Sequence, residues 1–218
     1  SGAGSRSRPR RRGGHRGGHL GLGNFIADKA ITFNDIRMRS PYPNLDFVPG
    51  DVLVTGAANL THGQKRSILS NLEKIDADYI LLDLGSGSHF NTLDFFLASN
   101  SGILVSTPQA PAILNAYGFL KNVVFRLLQQ AFSDHKGVTR LLADIVKEKQ
   151  PNATPSIAQI IEGIEKLSKR AATTAREELA KLKPSIIVSM GDRPEDMEIV
   201  QSLRTLIEQR LAVTPICL

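Results

Sequence analysis

Three short apolar runs constrain the fold more than any other feature of the chain. They are YILL at residues 79–82, ILV at 103–105 and IIV at 186–188, and amphipathic stretches separate them. Apolar runs of this length, without polar alternation, have the pattern of strands covered on both faces in a parallel sheet. Two further stretches read as strands: LDFV at 45–48, closed by a Pro-Gly turn, and residues 212–217. Between them the 3.6-residue period predicts helices at 63–75, 91–100, 111–132, 138–149, 156–183 and 191–211. The fifth carries a Thr154-Pro155 start and an Ile/Leu stripe from Ile157 to Leu182, which reads as packing on the chain's own sheet. The sixth has Pro194, Glu195 and Asp196 in its first turn, where acids suit the helix dipole. Strands alternating with helices predict an α/β domain with a mostly parallel sheet. The stretch 109–184 is too long for one crossover and reads as a helical insertion.

Composition removes several classes. At 218 residues the chain has room for one sizeable core, and 41% hydrophobic with 22% charged residues is globular. No apolar stretch approaches the ~20 residues that span a bilayer, and no signal-peptide pattern appears. Cys217 is the only cysteine, so no internal disulfide can form. The expectation is a soluble cytoplasmic protein. The net charge of +6 belongs to an arm: Arg6, Arg8, Arg10, Arg11, Arg12 and Arg16 lie in residues 1–27, which hold no acid. The other 21 basic residues balance 21 acids, so no basic patch on the folded part is implied.

Residues 1–23 are almost entirely Gly, Ser, Arg, Pro and His and read as a disordered arm, with the domain at 24–218. The arginines suit contact with nucleic acid or acidic lipid, but the arm has no aromatic to stack on a base, and a solvated tail is the preferred reading. His15 and His19 have helical metal-ligand spacing, but the glycines around them oppose a helix. His89 reads as an exposed turn residue and Cys217 as a structural thiol.

Candidate chemistry centres on DADYILLDLGSGSHFNTLDFF, residues 76–96. In a parallel sheet, ligands bind at the carboxyl ends of the strands, where Asp83 falls. A carboxylate there can hold a water of a bound magnesium ion. The turn of Gly85, Ser86 and Gly87 lets backbone approach a phosphate closely. The plainer alternative is that Asp83 ends a strand or caps the next helix.

The stretch from residue 76 to 121, with GILVSTPQAP and NAYGFLK, resembles the MinD/ParA family of P-loop ATPases, closest to flagellar-number regulators of the FlhG and FleN type. The resemblance extends more loosely over residues 21–218. It implies a P-loop NTPase-like fold, with Asp83 as the Walker B carboxylate holding magnesium through water. It also implies residues 85–87 as the switch-like turn beside ATP, and Ser189 near the adenine where many members have Asn. ATP and Mg2+ are the implied cofactors. A homodimer is the implied assembly, and flagellar placement or partitioning the implied role. Neither the family's KGGVGKS loop nor the Asp-rich segment that follows it occurs before GLGNFIADK in this sequence. The resemblance therefore implies either a fragment or altered reading frame, or a degenerate member that no longer hydrolyses ATP. It also implies an unpaired edge beside residues 79–84, and with it a tendency to self-associate. The alternative function is a non-catalytic scaffold of the same fold.

Overall fold

The computed structural model describes residues 19–50, 60–147 and 155–218. Residues 1–18, which hold most of the expected arm and His15, and the stretches 51–59 and 148–154 lie outside the described residues, while His19 is described and exposed. The chain divides into two units, 1–76 and 77–218, and the division falls inside the stretch that the sequence reads as one domain. Among the described residues no helix is long and apolar enough to cross a membrane.

In the first unit, α1 (Leu22–Ala27) begins within the range read as arm. A hydrogen bond from Leu22 N–H to Pro49 O ties its start to the turn at residue 49. A single 3-10 turn, Phe33–Ile36, buries Phe33 and Ile36, and Phe25 meets Phe33 edge to face at 5.4 Å. Strands β1 (Met38–Arg39) and β2 (Asp46–Phe47) pair antiparallel, and Arg37 Nε donates to Asp46 Oδ2 at 2.7 Å. This corrects the expectation of a parallel, buried strand at 45–48. The run is too short and too exposed to be a core strand, and it closes a hairpin instead. Helix α2 (His62–Leu72) starts where its sequence predicts, because Thr61 Oγ1 accepts the Gln64 N–H and Gln64 reaches back to the Thr61 N–H.

The second unit holds a three-stranded parallel sheet in the order β3 (Ile103–Ser106), β4 (Ser185–Val188), β5 (Ile216–Cys217). Helices α3 (Phe90–Phe96), α4 (Ala110–Ala131), α5 (Lys136–Lys147), α6 (Ile157–Leu167), α7 (Lys169–Lys181) and α8 (Pro194–Leu211) fill the connections. The α/β class and the helical insertion between β3 and β4 are as the sequence predicts. The predicted single helix over 156–183 is two. Ser168, in extended backbone, stops α6 and caps α7 by accepting the Ala171 N–H with its hydroxyl. The N-cap of α6 is Ser156, whose hydroxyl accepts the Gln159 N–H while Gln159 accepts the Ser156 N–H; Thr154 of the predicted start lies outside the described residues. The Ile stripe of α6 is buried, but against α5, α7 and α8 rather than against the sheet.

Register separates the two faces of the sheet. Leu104, Ile186 and Cys217 share one row, and together with Val188 they join the main core beside α4 and α8. Ile103, Ser185 and Ile216 share the row on the other face. Val105 and Ile187 form the next row, extended by Leu218, whose N–H donates to Ile186 O and whose C=O accepts from Val188 N–H. Ile103, Val105, Ile216 and Leu218 are exposed.

The largest departure is at residues 79–84. The run expected to be a buried strand has no ladder, and Tyr79 and Leu81 are 89% and 87% exposed. Ile80 and Leu82 are less exposed, and Leu84 reaches the core. The period of two belongs to an extended chain with one side toward the protein. No described residue pairs with its backbone, and without a neighbouring strand an apolar run cannot be a strand.

Candidate functional site

The carboxyl ends of β3 and β4 form the most ordered part of the expected site. Ser106 ends β3, buried, with its hydroxyl donating to Thr107 O at 3.3 Å. Ser189 is half-buried one residue beyond β4, and its N–H donates to Ser106 O at 2.9 Å. This bond carries the parallel ladder past the last paired residues. The chain then turns sharply. Met190 takes a left-handed conformation (φ 62°), and Gly191 lies so close that an added Cβ would sit 3.4 Å from Asp196 Cβ.

That closeness has an electrostatic result. Asp196, 5% exposed, accepts the Asp192 and Arg193 N–H groups on Oδ2 at 3.2 and 3.1 Å. Arg193 Nη2 lies 3.6 Å from Oδ1. The two N–H groups just ahead of α8 are thus satisfied from within the chain, by a carboxylate that repels anions.

The turn after residues 79–84 contains the other predicted site residues. Gly87 has φ +104°, a conformation open to glycine, and the His89 imidazole lies 3.3 Å from where a Cβ would be. Gly85 has open space around it, and Ser86 and Asp83 are exposed. Asp83 makes no hydrogen bond or ion pair with a described residue. The chain brings Asp83 and residues 85–87 together by sequence alone. No hydrogen bond among the described residues joins them to Ser189. His89 is the N-cap residue of α3 without a side-chain cap bond.

Sequence reasoning missed the strongest polar cluster in this unit. Asp94 on α3 receives a two-pronged ion pair from Arg126 on α4, with Nη2 at 2.9 Å from Oδ2 and Nε bonded to Oδ1. Gln130 Nε2 donates to the same carboxylate at 2.8 Å, and the Arg126 guanidinium lies 5.0 Å over the Phe90 ring. The partners are 32 and 36 residues apart, so no local spacing signals them. The cluster holds α3, and with it the end of the 85–89 turn, against α4.

The implied cofactors can be tested against these donors. Magnesium-bound ATP needs carboxylate oxygens near the metal and backbone N–H groups with cations around the phosphates. Among the described residues, no three His, Cys, Asp or Glu side chains lie close enough to hold a metal. Among the described residues Asp83 has no hydrogen-bond or ion-pair partner, and Asp196 already accepts the two N–H groups just ahead of α8. The described residues do not fit magnesium-bound ATP. Compared with known proteins, the chain matches no family model and no curated protein.

Proposed function

We propose that these residues are the switch-bearing part of a MinD/ParA-like P-loop ATPase of the flagellar-placement or partitioning type, present without the Walker A loop, and that nucleotide turnover requires that loop. The carrying observation is the parallel β3–β4 pair. Its carboxyl ends, joined by the Ser189 to Ser106 bond, open on a glycine-containing turn into a helix, the place where α/β sheets bind ligands. Asp83 and the 85–87 turn are the residues this reading assigns to magnesium-bound water and the phosphates. A second reading, a scaffold of the same fold without nucleotide, is favoured by Asp196 occupying the start of α8.

Calorimetric titration with ATP and magnesium separates the two. Residues 1–218 are expected to show no saturable binding up to about 1 mM. Replacing residues 1–23 with a family-type strand and KGGVGKS loop restores binding under the first reading, and Asp83→Ala in that protein then removes turnover. A folded graft that still binds nothing leaves the scaffold. Micromolar binding by the unaltered chain, lost in Asp83→Ala, overturns the statement that the loop is required.

A further inference from the structure

A basic pole forms where the ends of α5, α6 and α7 meet, and we propose that it docks an acidic, leucine-bearing polypeptide segment of a partner protein, independently of nucleotide. Lys136 opens α5, Lys166 lies in the last turn of α6, and Lys169 and Arg170 open α7. One contact brings the helix ends together: a Cβ on Gly137 would lie 3.8 Å from Leu167 Cδ1. All four cations are exposed, and Leu167 among them is 52% exposed. Composition does not reveal this pole, because contact between α5 and the α6–α7 junction assembles it.

The fold itself does not account for these charges. None of the four forms an ion pair with a described residue, whereas cations further along the same helices do: Arg176 with Glu165 at 2.7 Å, Lys181 with Glu178 at 2.6 Å and Lys147 with Asp144 at 3.8 Å. Of the acids nearest in sequence, Glu165 is held by Arg176, and Asp134 and Glu162 leave the four cations in excess. Neither α5 nor α7 has an acid in its first turn, where the helix dipole favours one, and both begin instead with cations that the dipole disfavours. Charge complementarity and Leu167 together select the occupant. Phosphate contacts to nucleic acid would leave Leu167 without a role, and residues 166–170 hold no aromatic to stack on a base. On a membrane, one leucine side chain is far smaller than the lipid chain that, beside a polybasic patch, gives stable anchoring. A segment with carboxylates on either side of an apolar residue meets both features, because its acids face the lysines and Arg170 while its apolar side chain covers Leu167. Exposed charge pairs are individually weak, so the Kd is on the order of 50 µM at low salt.

The test uses the whole chain in fluorescence anisotropy with three probes: a labelled peptide of repeated Glu-Leu-Glu-Glu, a labelled DNA duplex of random sequence, and labelled phosphatidylcholine vesicles with about a third phosphatidylserine. The peptide is expected to bind most tightly, and to weaken at least ten-fold between about 0.05 and 0.5 M salt. Lys166→Gln, Lys169→Gln and Arg170→Gln together should weaken it at least ten-fold with no fall in the circular dichroism melt, since the cations removed from the start of α7 oppose its dipole. Leu167→Gln should weaken it several-fold and leave the salt dependence as it is. The arginines of residues 6–16 meet any polyanion and supply the control: Arg10→Gln, Arg11→Gln and Arg12→Gln together should change peptide binding less than about three-fold. Absence of saturable peptide binding up to about 1 mM overturns the proposal. So does binding lost in the arm variant but kept in the variant of residues 166–170, and so does peptide binding indifferent to Leu167→Gln. DNA or vesicles bound more tightly than the peptide, and released by the changes at 166–170, overturn the polypeptide as occupant and assign the pole to phosphate groups.

Discussion

Residues 79–82 and residues 157–164 are both rich in isoleucine and leucine, yet one stretch is the most exposed apolar segment of its unit and the other lies at the centre of its core. The difference is not in the side chains. In α6 the backbone satisfies its own hydrogen bonds, so its apolar stripe has only to meet the faces of α5, α7 and α8. A strand cannot do this, because its N–H and C=O groups require a second strand. The run at 79–82 carries the apolar code of a buried strand without a paired neighbour among the described residues, and so it stays extended and open. Apolar sequence specifies burial in a helix more securely than in a strand, since the strand's partner is encoded elsewhere.

Truncation gives the largest expected contrast. Ile164, fully buried between helices, should lose about 2–5 kcal/mol of stability on Ile164→Ala, through lost transfer energy and the cavity left behind. Leu81→Ala, at an apolar residue of similar size, should change stability by no more than about 0.5 kcal/mol. Urea denaturation of both variants measures this directly. A loss above about 1 kcal/mol for Leu81→Ala would mean that residues 79–82 are paired in solution and that the contrast is not real.

A smaller effect is expected at the join between the two kinds of region. Helix α3 connects the 85–89 turn to the body, and the Asp94–Arg126–Gln130 cluster holds it there. Asp94→Ala leaves the Arg126 guanidinium partly buried without its counter-charge, and should cost about 2 kcal/mol, less than a fully buried pair because both groups keep some solvent contact. Hydrogen exchange locates the loss. Amides of residues 90–97 should exchange faster, while those of 157–182 hold their protection. Equal acceleration in both segments would mean that the cluster supports the whole unit rather than α3 alone.

What the sequence makes legible follows the same division. Helices α2, α4, α5 and α8 are readable because caps and periodicity are local: Thr61 with Gln64, and Pro194 with Asp196 in the first turn, lie within a few residues of what they control. The strands β3 and β4 are readable because both runs found partners. The break at Ser168 falls where the Ile/Leu stripe gives way to Ala171, Ala172 and Ala175 between Leu167 and Leu179, and only the cap that Ser168 forms reveals the end of α6. In the site, the turn is legible from glycine spacing, while the positive φ of Gly87 is a feature that only the structure adds. The Asp94–Arg126 pair is invisible to local reading, because contact between α3 and α4 creates it. Asp83 had the right spacing and neighbours for a strand-end carboxylate, but the strand whose end it would mark did not form.

The smallest effect sharpens the comparison at one atom. Cys217 is half-buried on the covered face of the sheet, and its thiol is pushed up from the ordinary range, chiefly by burial, with Arg204 opposing and Glu208 adding to the shift. The thiolate is the reactive form, so at a given pH Cys217 holds less of it than a free thiol does. A raised value in the folded state also fixes the sign for stability. The neutral thiol's contribution is present below the thiol's unfolded range and is lost as pH rises through the raised value. A cysteine at position 81, in a Leu81→Cys, Cys217→Ser protein, would stand in open solvent with an ordinary thiol. Alkylation at pH 8 should therefore be several-fold faster at position 81 than at Cys217, with the gap narrowing as pH rises and Cys217 ionises. Iodoacetamide kinetics followed by mass spectrometry read both rates. Equal rates at pH 8 would show that Cys217 reaches solvent as freely as residue 81, and the covered face of the sheet would then be open as well.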